Sequence, residues 1–499
     1  MFEKVTPEEY GLSSADIARF IQKIEARGAI MHSLLILRHG KILAEHYWSP
    51  FDADFCHRMY SQTKSYTAIA IGLLIGEGKL SLNTKLVDIF PEYRGTHPFI
   101  DEQTIEQMLT MTTVGNPVSW FSESKTADRV EIYFKERKAT HPAGTVWEYD
   151  SASSQVLSQI AEKLSGMPLL DYLKKKLFDK MGTFQTAEIL KTRNGASWGD
   201  SALLCTTRDM ASMGQLLLDG GVWNGEQLID ADFVKAATAK QVDNRAHWER
   251  GVYSHGYGYQ IWRTEQNGFG FLGMGDEITI CLPDKDLVFV CTADHQGTAN
   301  RTRGMLVSAF FDLIADKLSD RPLPQNEQDT ALLAKTTSDL TLFSEKGLPD
   351  SKWRKEINGK RYSCAKNPMG ITEFTFRFNN DGSEGVFCYV NEQGYKEIPF
   401  GVNHNVFGQF PQLGYSDGFG GLRTTNGFRY RDAVSLAWLD ENKLILFVQI
   451  IDRYFGLMSA VFAFRDSYAT VQFRKVGEDF LAEYDGDLYA QRENWALCQ

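Results

Sequence analysis

The order of apolar patterns along the chain constrains its fold more than any single motif does. Ser33 to Leu37 and Ile42 to Trp48 are strand-like runs joined by Arg38-His39-Gly40-Lys41, which reads as a hairpin. A helical middle follows, with a short helix over Thr104 to Thr112, another marked by Val156, Ile160, Ala161 and Leu164, and a third over Leu203 to Leu218. Strand-like runs then return at Gly256 to Trp262, Phe269 to Met274, Glu277 to Leu282 and Leu287 to Thr292, before an amphipathic helix over Met305 to Leu318. Two strands, many helices, several strands and a last helix require the two ends of this region to share one sheet. Near the start, Gly11-Leu12-Ser13-Ser14-Ala15-Asp16 followed by Ile17, Phe20, Ile21 and Ile24 predicts a capped amphipathic helix lying on that sheet.

A polar, proline-containing stretch beginning at Asp320 separates this α+β region from a strand-rich one. Phe374-Thr375-Phe376-Arg377-Phe378 alternates, Asn379-Asn380-Asp381-Gly382 is a strong turn, and Leu444 to Ile451 and Val461 to Phe464 continue the pattern. The expected organisation is an α+β domain over residues 1–319, a linker over 320–334 and an all-β domain over 335–499, either a lipocalin-like barrel or a sandwich.

A net charge of −11 supplies no electrostatic footprint for nucleic acid, and no Lys/Arg cluster points to an anionic membrane surface. Met1 to Tyr10 places acid where a signal peptide needs a basic start and an apolar run, and no apolar segment is long enough to span a bilayer. These features predict a cytoplasmic protein. The seven cysteines lack the close pairing of a zinc or redox site, so no metal or cofactor is expected. Cys281 and Cys291 flank the Asp284-Lys285-Asp286 turn as possible cross-strand neighbours, held as thiols in a reducing cytosol.

Arg58 to Ile75 reads as a buried helix opening near Ser61, with Lys64 one turn further on the same face. A serine hydroxyl is a weak nucleophile until a neighbour removes its proton, and a lysine one turn away can do so or can assist a second base. About one or two Ser-x-x-Lys strings are expected by chance in such a chain, and Ser122-Glu123-Ser124-Lys125 is another. That second string sits in a polar loop, without an apolar helix behind it. Tyr149-Asp150-Ser151 supplies a phenol, which titrates near ~10 in water and acts as a base only beside a cation, as Lys64 would be. In the strand entering Gly270-Phe271-Leu272-Gly273-Met274-Gly275, the glycines would let the backbone approach a substrate, so that an N–H there and that of Ser61 could hold an oxyanion. Taken singly, the three pieces also read as a helix cap, a packed tyrosine and a glycine-rich corner.

In this order, Ser61-x-x-Lys64, Tyr149-x-Ser151 and a glycine-containing strand together resemble the penicillin-binding-protein-like serine hydrolases, in particular the class C β-lactamases, their esterase relatives and D-amino-acid peptidases. Pro142-Ala143-Gly144-Thr145, Thr206-Thr207-Arg208-Asp209-Met210 and Gly220-Gly221-Val222-Trp223-Asn224-Gly225 are similar to that branch as well, and the likeness covers about residues 5–318. The resemblance implies a β-lactamase/transpeptidase-like fold, an antiparallel sheet flanked by helices beside a helical lobe. It also implies Ser61 as acylated nucleophile, Lys64 as its activating partner, Tyr149 as proton-transferring base and Ser151 as a supporting donor. Gly273, Met274 and Gly275 would form the oxyanion corner, with the Met274 N–H as second donor.

The departure from that family lies in the last motif, which has neither Lys-Thr-Gly nor a histidine-containing equivalent to meet a substrate carboxylate. Acylation chemistry is unaffected by that loss. The expected activity is therefore cleavage of an ester or amide in a small molecule or short peptide, with a D-aminopeptidase or small-peptide hydrolase as the alternative. A ligand-sensing, catalytically silent member is the alternative of another class, although Ser61, Lys64 and Tyr149 are all retained. His141, His255 and His295 lie outside any triad-like setting and read as structural or surface residues. Specificity would reside in loops such as Val114 to Ser124 and Asn244 to His255. Nothing in the sequence sets an oligomeric state.

Overall fold

The hairpin through Arg38-His39-Gly40-Lys41 forms because His39 and Gly40 both adopt left-handed backbone, with φ of 50° and 67°. It joins two strands of a seven-stranded sheet: β1 (Glu3–Lys4), β2 (Met31–Arg38), β3 (Lys41–Tyr47), β4 (Trp262–Arg263), β5 (Phe269–Leu272), β6 (Ile278–Leu282) and β7 (Leu287–Ala293), in the order β1-β3-β2-β7-β6-β5-β4. All neighbours are antiparallel except β1 and β3. Pairing of β2 with β7, Leu35 opposite Val290, closes the sheet across the helical middle as the element order requires. The computed structural model describes residues 2–115, 126–246, 251–296, 299–414, 416, 418, 427–476 and 482–493, excluding the side chains of 252, 299–303 and 482. The chain forms two compact units, Met1–Thr341 and Leu342–Gln499.

Strand periodicity sends alternate residues into two cores. Leu34, Ile36 and Phe289 face α1 (Ser14–Glu25), capped by the Ser13 hydroxyl, whose Ile17, Phe20, Ile21 and Ile24 are fully buried. Burial of each such side chain stabilises by about 1.5–3 kcal/mol. Leu35, Leu37, Val288 and Val290 face the other way, into the core that includes α2 (Thr63–Gly76), α3 (Ser151–Ser165) and Met210, Met213 and Leu216 of α4 (Thr207–Leu218). At Gly214 a Cβ would lie 2.8 Å from Val288, so the glycine permits α4 to approach the sheet closely. Helix α2 is apolar all round, which suits an element enclosed by others.

Several expectations shift. Leu203–Cys205 is a short strand paired with His57–Arg58, and α4 starts only at Thr207 because Thr206 and Asp209 form a capping box. The Gly256 to Trp262 run yields only β4, since Gly256 and Gln260 take positive φ. The helix placed at Met305 to Leu318 is α5 (Ala299–Leu313), followed by a 3-10 turn over Ala315–Lys317. Cys281 lies opposite Val288 and Cys291 opposite Ile278, and the two thiols enter different cores, so they are not cross-strand neighbours. Within the stretch read as a linker, Glu327–Thr337 is a helix tied to α1 by Ser13 to Asp329 (3.2 Å) and Gln22 to Thr336 (3.0 Å).

The second unit is a closed nine-stranded barrel over residues 362–490. Its antiparallel ladder runs from Gly394–Val402 through Tyr362–Cys364 and on to Arg431–Trp438; closure comes from parallel pairing of Gly401 with Ser435 and Val402 with Leu436. The interior is filled by rings, among them Phe374, Phe376, Phe387 and Phe462 with centroids 4.9–6.1 Å apart. Among the described residues no helix is long and apolar enough to cross a membrane.

Candidate active site

Ser61 lies in a 3-10 turn, Tyr60–Gln62, immediately before α2, and neither end of that turn has a side-chain cap. Tyr60 has φ of 44°, a left-handed conformation that costs free energy in a non-glycine residue and bends the chain sharply into the helix. The turn is held by Met59 N donating to Leu203 O (2.8 Å) and by the Arg58 guanidinium over the rings of Tyr60 and Trp198, at 4.4 and 4.9 Å. One turn beyond Ser61, the buried Lys64 donates from Nζ to Ser61 Oγ at 3.0 Å and to the main-chain carbonyl of Asp200 at 2.7 Å. The predicted pair is thus in hydrogen-bond contact.

Tyr149 precedes α3, and Lys64 Nζ sits 5.2 Å from the centre of its ring. Trp262 stacks on the same tyrosine at 5.5 Å and 23°. The helix start behind it is firm: Asp150 Oδ1 accepts from the amides of Ala152 (2.9 Å) and Ser153 (3.2 Å), while Oδ2 accepts from Thr113 Oγ1 (2.9 Å) and lies 2.8 Å from Arg137 Nη1. Ser151 opens α3 half-buried, and its hydroxyl has no hydrogen-bond partner among the described residues.

The turn between β5 and β6 brings the third motif to the same place. Gly273 N donates to Glu277 O at 2.7 Å, so that amide is engaged in the turn. A Cβ on Gly273 would lie 2.4 Å from Met59 O, which puts the corner directly against the residue two before Ser61. Gly275, with φ of 95°, completes the bend. The amides of Ser61 and Met274 have no acceptor among the described residues.

Asp200 and Arg129 were not singled out from the sequence. Asp200 is fully buried, with Arg129 Nη1 at 3.4 Å and Lys64 Nζ at 3.9 Å from its carboxylate; burial nevertheless holds its carboxyl above the ordinary range. The only hint was a glycine-aspartate pair after Trp198. The histidines serve elsewhere. His141 contacts Thr140, His255 lies 3.9 Å from Glu265, and the buried His295 bridges Asp276 (2.8 Å) and the Ile30 amide (2.7 Å). Ser122 to Lys125 and most of the loop ending at Ser124 lie outside the described residues, as do 247–250 of the other specificity loop. Among the described residues no three His, Cys, Asp or Glu side chains are arranged to hold a metal ion.

Comparison with known proteins places the first part of the chain in a family. The Beta-lactamase family model matches residues 17–308. A 6-aminohexanoate-dimer hydrolase of Paenarthrobacter ureafaciens is 28% identical over 225 residues, 42% of this chain and 57% of that protein. Esterase EstB of Burkholderia gladioli is 26% identical over 197 residues, 33% of this chain and 49% of the esterase. The chain thus spans about half the length of these curated relatives. A solved Bacillus anthracis structure, assigned provisionally as a 6-aminohexanoate-dimer hydrolase, shares the fold with a TM-score of 0.52 at 19% identity, over 65% of this chain and 89% of its own.

Proposed function

The chain belongs to the beta-lactamase family of serine hydrolases, and from that membership we propose that it cleaves an ester or amide bond through an acyl-enzyme on Ser61. The observation that supports this most is the 3.0 Å contact between Lys64 Nζ and Ser61 Oγ, in a setting where the lysine is buried and also faces the Tyr149 ring.

In this reading Ser61 Oγ attacks the substrate carbonyl carbon while the phenolate form of Tyr149, favoured by the neighbouring ammonium of Lys64, takes its proton and becomes the neutral phenol. The amides of Ser61 and Met274 hold the tetrahedral oxyanion. On collapse the leaving alcohol or amine receives the proton from Tyr149. Water then attacks the acyl ester, Tyr149 takes a proton from that water, and Ser61 Oγ recovers it as the acid departs. Ser151 is a supporting donor whose hydroxyl meets the substrate.

The activity is assigned to residues 1–319. Residues 273–275, Gly-Met-Gly, offer no cation to a substrate carboxylate. This favours acyl groups that are uncharged near the scissile bond, such as short linear amides or esters of the kind named for the two curated relatives, over β-lactams or carboxylate-terminated peptides.

A fluorophosphonate probe followed by peptide mapping tests the assignment, with label expected on Ser61 and absent from Ser61→Ala. Label on another residue, or unchanged labelling of that variant, overturns it. Turnover of p-nitrophenyl esters and 6-aminohexanoate dimer, with none of D-aminoacyl anilides, separates the proposed substrates from the peptidase alternative. Saturable binding of these compounds without acylation is the outcome of a silent, ligand-sensing member.

A further inference from the structure

Beneath the glycine corner lies a carboxyl group that this mechanism does not use. Glu277 closes the turn that presents Met274, and its side chain folds back under that turn with no exposed surface. A Cβ on Gly273 would lie 2.9 Å from Glu277 Oε2, and one on Gly275 3.1 Å from Oε1. The carboxyl is therefore packed against both glycines that flank Met274. Neither of its oxygens has a hydrogen-bond partner among the described residues.

Among the described residues the groups facing it include one fixed cation, the Arg58 guanidinium, whose charge favours the carboxylate but is outweighed by burial. His57 Nδ1 is 3.8 Å from Oε1, but the same nitrogen lies 2.9 Å from the Arg58 carbonyl, which can only accept, so Nδ1 holds the ring proton of a neutral imidazole. His57 Nε2 then accepts from His32 Nδ1–H at 2.8 Å, and burial holds both rings uncharged, moving His57 down to about 3. The Arg58 guanidinium donates to the carbonyl and hydroxyl of Ser201 at 3.1 and 3.3 Å. Asp276, Asp294 and the buried Cys291 thiol contribute no positive charge. Burial, reinforced by Asp294 and Asp276, holds the Glu277 carboxyl well above the ordinary carboxylate range.

We propose that Glu277 is a positioning residue, an uncharged acid wedged under Gly273-Met274-Gly275 that aims the Met274 amide at the oxyanion and keeps negative charge from behind it. This rests on the reading of Ser61 as nucleophile and Met274 as oxyanion donor. An ionised carboxylate in that place would oppose the charge the amide has to stabilise, whereas a neutral group of the same shape would not.

The test compares Glu277→Gln, which keeps shape and neutrality, with Glu277→Ala, which removes the wedge. On a p-nitrophenyl ester the alanine variant should lose about tenfold or more in kcat with little change in KM, and the glutamine variant should stay within about threefold of the wild type. Wild-type kcat in the alanine variant, or equal damage in both, overturns the proposal. Should alanine not fold, Glu277→Asp takes its place with the same expected loss. The melting temperature gives a readout independent of catalysis. As pH rises above the ordinary glutamate value of about 4.3 the unfolded chain loses the Glu277 proton while the folded protein keeps it, so the wild type loses stability as pH rises towards the raised folded value and Glu277→Gln loses less. Equal slopes refute the uncharged acid. If the fluorophosphonate label lands away from Ser61, the catalytic reading fails, while the melting comparison still decides the state of Glu277.

Discussion

Lys64 makes its shorter hydrogen bond, 2.7 Å, to the main-chain carbonyl of Asp200 and not to that residue's carboxylate, which stands 3.9 Å away. A carbonyl survives side-chain substitution, so Asp200→Asn should leave Lys64 in place and lower kcat by about tenfold or less, whereas Lys64→Met should lower kcat/KM by about a thousandfold. Steady-state hydrolysis of an activated ester distinguishes the two. Asp200→Ala removes one carboxylate partner of the buried Arg129 and should destabilise by roughly 3 kcal/mol in urea unfolding.

Tyr149→Phe keeps the ring over Lys64 and the stack on Trp262, removing one oxygen. Turnover should fall by about 10²–10⁴-fold with the thermal midpoint nearly unchanged, measured by ester hydrolysis and by calorimetry. A large loss of stability instead would mean that the tyrosine is a packing residue.

Gly273→Ala drives a methyl into the Met59 carbonyl, which is backbone and has little freedom to move. The corner and the residues leading to Ser61 must separate, so kcat should drop about tenfold or more and stability by about 1–3 kcal/mol. Gly40→Ala is the opposite case, backbone strain without a clash: a Cβ there meets nothing within 4 Å while φ is positive at 67°, so it should leave kcat unchanged.

In the barrel, burial pushes the Asp432 carboxyl up to about 7. Its folded value lies above the unfolded one, so the associated stability is present at low pH and fades as pH rises from about 4 through 7. Asp432→Asn should remove that decline and raise the urea midpoint at about pH 8, with little effect at about pH 4. Far-UV circular dichroism at the two pH values is the measurement.

What could be seen in the sequence was local. The Ser61 and Lys64 pair follows from helix geometry, the capped α1 from Ser13 and its apolar spacing, and the Asn379 to Gly382 turn from residues that accept left-handed backbone; Gly382 takes φ of 78°. Contacts made by main-chain atoms were invisible, because any residue presents the carbonyl that Asp200 offers Lys64. The Glu277 wedge was hidden because its surroundings are set by His57, Asp294 and two glycines brought together only by the sheet. Barrel and sandwich share one alternating pattern, and the two parallel pairs that decide between them join residues far apart in the chain. Placing Cys281 beside Cys291 failed because strand register, fixed by the whole ladder, puts them on opposite faces.

Among the described residues, phenylalanine rings occupy the barrel interior and form its core. Those side chains pack as in a solid, so the described strands of the barrel act as a rigid block whose outward-facing side chains are what it presents to a partner.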